Sequence, residues 1–593
     1  MASWRGWVAC FIVLGGGCIG GTGDAVEPLT GERSGSRSAL DGEPGGDRAQ
    51  RMTAAITPPP ATSSVGAASP TSMRAPSAPA SAGQVASPVS DSPAAGSPGP
   101  AADANTNVSL GGAQDFGVFR SQLAAGIVPR VGDFDAAGFF AEHHTALPPP
   151  DCGDRVCLQT MLGVLGNLVN GENCTMLQLG LNSPLAANPD DRPPLNLAIV
   201  VDTSGSMQEN GKMNFVRQGL NLLIDGMRDE DRLALIRYAD EAEVLLPMTD
   251  VALNRGTIRE AANSLSANGG TNLYDGLREG YAEATSFYDS GRQNRVILLS
   301  DGLPTQGVQD PAQITSMSRN FNSQGIGLST VGLGVNFNVE LMRGLAEQGD
   351  GNFYFLENSG AVSEVFTEEL SYFTVPVAFD LELKLVSGPH YAFRRAFGSS
   401  FWKESDDGGT LSVPSVFLAH RESDEDVTEA GGRRGGGSAL MIELMPTLAE
   451  DSDLNLTESE VAVIDVSFRE PGTDEVVRQT VEVTFPHAPW VTPERGEWVS
   501  DDIPIIQKSF VMLNILVAFE MASEMHYAGA NEMAVGDLNQ IIAAVEDYNE
   551  EIQDVDMDYD LEMLRDLRDL IETHIPRPEP PPVQVRADPW PCD

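Results

Sequence analysis

Cations are scarce in this chain. Of 593 residues, 37 are Lys or Arg against 85 Asp or Glu, for a formal net charge of −48. Affinity for nucleic acid rests on neutralising phosphates with Lys and Arg, so this balance excludes nucleic acid as the partner. It also excludes docking on an anionic membrane through a basic patch. Long apolar runs are missing too. No stretch reaches the roughly 18 consecutive apolar residues of a membrane-spanning helix, and the longest after the N-terminus, residues 510–519, already contains Asn514. Cysteine is sparse at six residues, and none of the seven His falls between 195 and 372. What is present, 41% hydrophobic residues, is ample for several cores; at about 100–200 residues per domain the length allows about three or four.

The N-terminus reads as an export signal. Residues 1–17 carry Arg5 near the start, a short apolar run over 8–14, and then small residues, the layout of a secretory signal peptide rather than a mature span. Cys18 follows three glycines, and residues 14–18 resemble a bacterial lipobox, with Leu14 four rather than three positions before the cysteine. That resemblance implies lipidation of Cys18 and a cell-envelope lipoprotein; Ile19 in place of Asp favours the outer membrane, on either its periplasmic or its outer side. Residues 51–100 hold 10 Pro, 12 Ala and 10 Ser with three charges. Such a segment cannot bury enough apolar surface to offset its ordering entropy. The stretch 18–110 is therefore expected to be a disordered tether reaching about 50 Å.

Cys10 lies in the signal and Cys18 at the lipid site, leaving Cys152, Cys157, Cys174 and Cys592 as disulfide candidates. Four cysteines allow three connectivities. A Cys152–Cys157 pair across a short loop, with Cys174–Cys592 clipping back the Pro-rich tail, is preferred. A zinc site lacks the usual paired spacing.

The chemistry lies in the middle of the chain. Residues 197–201 form a continuous apolar strand of the doubly buried kind. A helix follows over 213–227, then two strands at 233–238 and 244–246 close enough to pair antiparallel. Helices at 258–265 and 273–287, a strand at 295–300, a helix at 314–321, a strand at 327–333, a helix at 339–346, a strand at 352–356 and a helix at 362–372 complete the series. This alternation predicts an α/β fold, a doubly wound, mostly parallel sheet with one antiparallel edge strand. Ligands of such sheets sit at the carboxyl ends of strands near the switch point. Three polar loops fall there: residues 202–206 (DTSGS), 269–272 (GGTN) and 300–302 (SDG). Asp202, Ser204, Ser206, Thr271 and Asp301 offer two carboxylates and three hydroxyls. An all-oxygen set without His or Cys suits a hard cation, Mg²⁺ or else Mn²⁺ or Ca²⁺, rather than zinc.

These loops resemble the metal-ion-dependent adhesion site of a von Willebrand factor type A (vWA) domain. Asp202, Ser204 and Ser206 match its D-x-S-x-S signature, Thr271 its threonine and Asp301 its last aspartate. The resemblance implies that the serines bind metal directly, the threonine in the ligand-competent state, and the aspartates directly or through water. One position stays open for a partner's carboxylate. An Asp-Thr-Ser-Gly-Ser segment can also be a turn or cap. It resembles an aspartic-protease loop with one residue inserted, but residues 300–302 lack the hydroxyl residue that a partner loop carries between Asp and Gly, and the α/β pattern contradicts that fold. Asp240, Asp250, Asn272, Asn336 and Asn338 are read as caps or turn residues.

The vWA domain is expected over 193–373, with an N-terminal extension at 111–192, a β-rich, sandwich-like region at 374–490, a helical region at 491–575 and a Pro-rich tail at 576–593. Strands are expected at 377–385, 439–444, 460–468 and 476–485. Arg433 and Arg434 read as part of a solvated Gly-rich loop. Asp554, Asp556, Asp558 and Asp560 alternate as in a calcium loop, but Tyr559 stands where an EF-hand needs Gly and Arg565 where it needs Glu; a solvated helix start is the reading. The expected function is binding of a protein partner, through an acidic side chain offered to the metal, by a lipid-anchored envelope protein that is not an enzyme. A structural scaffold with an incidental metal and a metal-assisted hydrolase are the alternatives. Against the hydrolase, no nucleophile–base pairing stands near the site.

Overall fold

A computed structural model describes residues 105–573, except 111, 114–115, 169–172, 186–191, 335–336, 357–358, 370–375, 420, 422, 424–432, 449–458, 472, 474, 486–497 and 500–502. The signal segment, Cys18, the Pro-rich stretch, Asn336, the tail with Cys592 and the side chain of Cys174 therefore lie outside the described residues.

The central sheet is built on β1 (Leu195–Asp202), all eight residues of which are buried. Its side chains alternate between two cores. Leu197, Ile199 and Val201 face one, and Ala198 and Val200 face the other. That is why the strand reads as an unbroken apolar run: both sheet faces are covered. On one side of β1 lie β2 (Arg232–Tyr238), parallel, and β3 (Ala242–Asp250), antiparallel at the edge. On the other side come β4 (Gln293–Ser300), β5 (Ile326–Leu333) and β6 (Asn352–Leu356), all parallel. The order is thus 6-5-4-1-2-3, with the switch point between β1 and β4. Beyond β6, Gly112–Ala113 adds a seventh strand, parallel to it, from outside the predicted domain.

Helices α1 (Lys212–Gly226) and α2 (Val251–Ser264) pack on one face through Val216, Leu220, Ile224 and Ile258. Helices α3 (Leu273–Ser286), α4 (Pro311–Asn322) and α5 (Val339–Gln348) cover the other through Leu277, Tyr281, Ile314 and Leu345. The expected final helix is a short turn, Ser359–Ser363, running into a π-helical segment, Glu364–Glu369.

The flanks interleave. In the second, antiparallel sheet, strand Asn173–Ser183 pairs with Cys157–Gly166, with Ala439–Pro446 and with Thr106–Leu110. Thr106–Leu110 in turn pairs with Gly408–Leu418, which pairs with Pro376–Ser387. Ser459–Arg469 and Val476–Phe485 follow. Segments on both sides of the central α/β domain therefore share one sheet, and the domain is inserted between two of its strands. Gln479 on the last strand accepts from the Leu158 N–H at 3.3 Å and donates to Val156 O at 2.7 Å, so the sheet curls back around one core. Two expectations need correction here. Thr106–Leu110, expected within the tether, is a strand with all five residues buried; its short polar sequence carries too little alternation to announce itself. The strands Tyr391–Phe397, Trp402–Ser405 and Gly408–Leu418 were not anticipated.

Three helices form the last layer: α6 (Ile503–Tyr527), α7 (Asn531–Ile552) and α8 (Val555–Thr573). The break between α7 and α8 falls at Gln553, whose φ is 60°. By length and composition residues Ile505–Tyr527 could cross a membrane, yet 83% of the apolar window is buried within the protein. Phe519 meets Phe116, Phe119 and Phe139 of the N-terminal extension at centroid distances of 5.9, 4.6 and 6.2 Å.

Of the four acids at the start of α8, Asp558 is exposed as expected and the other three are not. Asp554, Asp556 and Asp560 are buried, as are Arg433 and Arg434. Asp556 faces Arg421 at 3.1 Å, Lys508 at 3.4 Å and Arg433 at 3.8 Å; Asp560 faces His143 at 2.8 Å. Arg434 pairs with Glu364. The partners lie up to 417 residues apart in sequence, so the local pattern of acids and glycines gave no sign that each charge meets its opposite. Cys152 and Cys157 form a disulfide.

Candidate metal centre

All five predicted ligands arrive at the carboxyl ends of β1 and β4 and the loop before α3. β1 ends on Asp202, which is fully buried. Its Oδ1 accepts from the Ser204 N–H at 2.8 Å; its Oδ2 accepts from the Ser300 hydroxyl at 2.9 Å and from the Tyr238 hydroxyl at 3.3 Å. The chain then turns through Gly205–Gly211 into α1. Ser204 and Ser206 hydroxyls are 3.0 Å apart, and Ser206 donates to Asp301 Oδ1 at 2.8 Å. The third loop is laced to the first by the Gly205 N–H to Gly269 O (2.9 Å) and the Asn268 N–H to Thr203 O (2.6 Å). It is laced to the loop after β4 by the Thr271 N–H, which donates to the Thr305 hydroxyl at 2.9 Å. A Cβ built on Gly302 would stand 3.8 Å from both the Ser206 and the Thr271 hydroxyl oxygens; the two hydroxyls flank one space.

Close packing behind the site explains a glycine in α3. A Cβ at Gly276 would lie 2.5 Å from the Tyr238 ring. Its absence lets the helix settle against the tyrosine that supports Asp202. Burial and the nearby Asp202 carboxylate raise the tyrosine's pKa well above its usual value, so it stays a donor.

Electrostatics separate the two carboxylates. Burial raises the Asp202 pKa to about 6, against the hydrogen bonds from Ser204 and Ser300 that favour the ionised form. Among the described residues no cation pairs with it. Asp301 is also buried, but Lys212 Nζ lies 2.6 Å from its Oδ2. The site opens outward at Ser206, which is part-exposed, and at the exposed Gly205 and Leu303. These residues fit a hard divalent cation. The donors are oxygens throughout, the aperture admits an outside ligand, and one buried carboxylate lacks a positive partner. Among the described residues no group of three or more His, Cys, Asp and Glu gathers to hold a metal, here or elsewhere; this site brings two carboxylates together with three hydroxyls.

Of the neighbours read as caps, Asn272 and Asn338 cap α3 and α5 by accepting from the Asp275 and Leu341 N–H groups. Asp240 accepts from the Gly270 N–H at 3.0 Å, bracing the third loop. Asp250 does not cap α2 with its side chain; it takes Arg232 at 2.8 Å. Sequence reasoning placed Ser300 in the 300–302 loop but not its bond to Asp202, and missed Tyr238 and Lys212. The contacts of the first two left no local sign, because they act across strands. Lys212 left one: a cation in the first turn of a helix faces the positive end of the macrodipole, an arrangement that calls for a compensating anion nearby.

Residues 196–368 match the family model of the von Willebrand factor type A domain. The uncharacterized protein YfbK of Escherichia coli (strain K12) is 31% identical over 201 residues, covering 34% of this chain and 35% of that protein. The chain thus spans about a third of the length of that curated relative. A von Willebrand factor type A structure from Catenulispora acidiphila aligns over 71% of this chain and 90% of that one, with a TM-score of 0.45 and 15% identity. Proximal thread matrix protein 1 of the mussel byssus, solved with a zinc-occupied MIDAS motif, aligns over 31% of this chain and 46% of that one, at 0.27 and 21%. Domains of this family generally mediate protein–protein interaction, and often hold a divalent metal at this site.

Proposed function

We propose that the von Willebrand factor type A domain over 196–368 binds a protein partner through a divalent cation held by Asp202, Ser204, Ser206, Thr271 and Asp301, and that the protein acts by binding rather than by catalysis. The observation that carries this reading is the convergence of three loops into one oxygen-lined aperture, with a buried carboxylate that no side-chain cation among the described residues neutralises. A hard cation there, Mg²⁺ foremost, would supply an electrophilic centre. With only two carboxylates and three neutral hydroxyls around it, an acidic side chain from outside would complete its shell. The exposed Leu303 beside Asp301 gives the same partner an apolar contact.

The export-like N-terminus and Cys18 support placing the molecule in the bacterial cell envelope as an outer-membrane lipoprotein on a Pro-rich tether, its lipid being its only membrane contact. The decisive experiment is calorimetric titration of Mg²⁺ and Mn²⁺ into wild type and Asp202→Ala, followed by pull-down from envelope extract with and without EDTA. Saturable binding lost in the variant, with an EDTA-sensitive captured partner, is expected. EDTA-insensitive capture that survives Asp202→Ala would reject the reading.

A further inference from the structure

Lys212 occupies a position that two physical terms oppose. It is the first residue of α1, where a cation meets the positive end of the helix dipole. Its side chain is only 8% exposed, so its ammonium is largely stripped of water. Its stem runs against the loop after β5, where Gly334 adopts φ +74° and a Cβ would lie 2.9 Å from Lys212 Cε. What offsets these costs is Asp301, whose side chain is fully buried and whose Oδ2 lies 2.6 Å from Nζ. The other oxygen of Asp301 accepts from Ser206, so this carboxylate is engaged on both sides by its own chain.

We propose that Lys212 sets the charge of the metal site so that a cation held there calls for an anionic partner. The inference rests on the metal-binding reading above. Asp202, Asp301 and Lys212 together carry one net negative charge. A divalent cation among them leaves one net positive charge in a mostly buried setting, which a single external carboxylate neutralises. Without the lysine, the two aspartates would neutralise the cation by themselves. They would hold it more tightly, and nothing would remain to attract an acidic group. Lys212 thereby trades affinity for the metal against affinity for the partner, and by fixing Asp301 it acts as a positioning residue.

The test is Mn²⁺ titration of the full chain as wild type, Lys212→Met, Lys212→Gln and Lys212→Arg, each in chloride and in acetate at equal ionic strength, with acetate as the carboxylate probe. Circular dichroism checks the fold, and the Gln variant serves if the Met variant does not fold. Removing the charge is expected to tighten Mn²⁺ about tenfold, the effect of roughly 1.4 kcal/mol, while Lys212→Arg stays near wild type. Acetate is expected to tighten Mn²⁺ binding in wild type and to leave the Met and Gln variants unchanged. Folded charge-removing variants that bind Mn²⁺ no tighter than a binding-competent wild type would overturn this inference alone. Absence of Mn²⁺ binding in every form would overturn the metal reading and this inference with it.

Discussion

Replacing Asp556 by Asn tests whether the ionic cluster at the start of α8 holds the molecule together. The carboxylate is completely buried and faces three cations: Arg421 at 3.1 Å, Lys508 at 3.4 Å and Arg433 at 3.8 Å. It also accepts from the His144 N–H at 3.2 Å. Burial pushes its pKa up, but His143, Lys508, Arg421 and Arg433 more than offset that and hold it below the usual carboxylate range. The substitution removes one negative charge and keeps the shape. Arg421, 1% exposed, then loses its carboxylate partner where water cannot replace it. Breaking a buried pair in this way costs about 3–5 kcal/mol. Asp566 on the exposed side of the same helix is the control, expected to change stability by less than about 0.5 kcal/mol. The assay is the urea midpoint at constant m-value. The double variant Asp556→Asn, Arg421→Met should cost less than the two single changes added together, because it removes the buried cation along with the carboxylate that faces it. A cost for Asp556→Asn below about 1 kcal/mol, indistinguishable from Asp566→Asn, would refute the reasoning.

Two further carboxylates carry opposite pH signatures. Burial alone would raise the pKa of Glu142, but Arg120, Arg433 and Arg434 hold it at about 2 against an ordinary 4.5. Its contribution is therefore complete above about pH 4.5 and lost as pH falls toward 2, so Glu142→Gln should flatten the acid limb of a stability–pH curve by roughly 3 kcal/mol. Asp202 runs the other way. Its folded pKa of about 6 lies above the ordinary 3.8, so its ionisation destabilises the fold fully above about pH 6 and not below 3.8. In EDTA, thermal melts of wild type should lose ground to Asp202→Asn by up to roughly 3 kcal/mol as pH rises across that window, and added Mg²⁺ should restore wild type alone. A pH-independent difference between the two would contradict this.

How much of this was legible in the sequence depended on how local each signal was. β1 and β4 announced themselves because both faces of each are covered, so their central residues, 197–201 and 296–299, are all apolar. The five ligands stand on loops whose spacing follows from that strand pattern. Tyr238 and Ser300 converge on Asp202 from neighbouring strands, and no spacing encodes such a meeting. The same holds on a larger scale for Arg433 and Arg434. In sequence they sit among glycines and read as surface; in space they meet Asp556 and Glu364. Antiparallel pairing between the two flanks was equally hidden, since a strand's own alternation does not name its neighbour.

The insertion of one domain between two strands of another sheet fixes an order of assembly. The central strands pair over short separations, as Asn196 with Arg232 does. One edge of strand Thr106–Leu110 pairs with Asn173–Ser183, but its other edge has to wait for Gly408–Leu418, and Asn107 donates to Gly436 O, 329 residues further on. Contacts that close short loops form first, and chains emerging from the ribosome fold from the N-terminal side. The three loops of the proposed metal site therefore come together while the outer sheet still lacks eight of its eleven described strands. The early strand can wait in water at small cost, because only Val108 and Leu110 among its five residues are strongly apolar. A nascent chain halted near residue 370 would already hold the three loops of the proposed metal site together, with the outer sheet still open beside them.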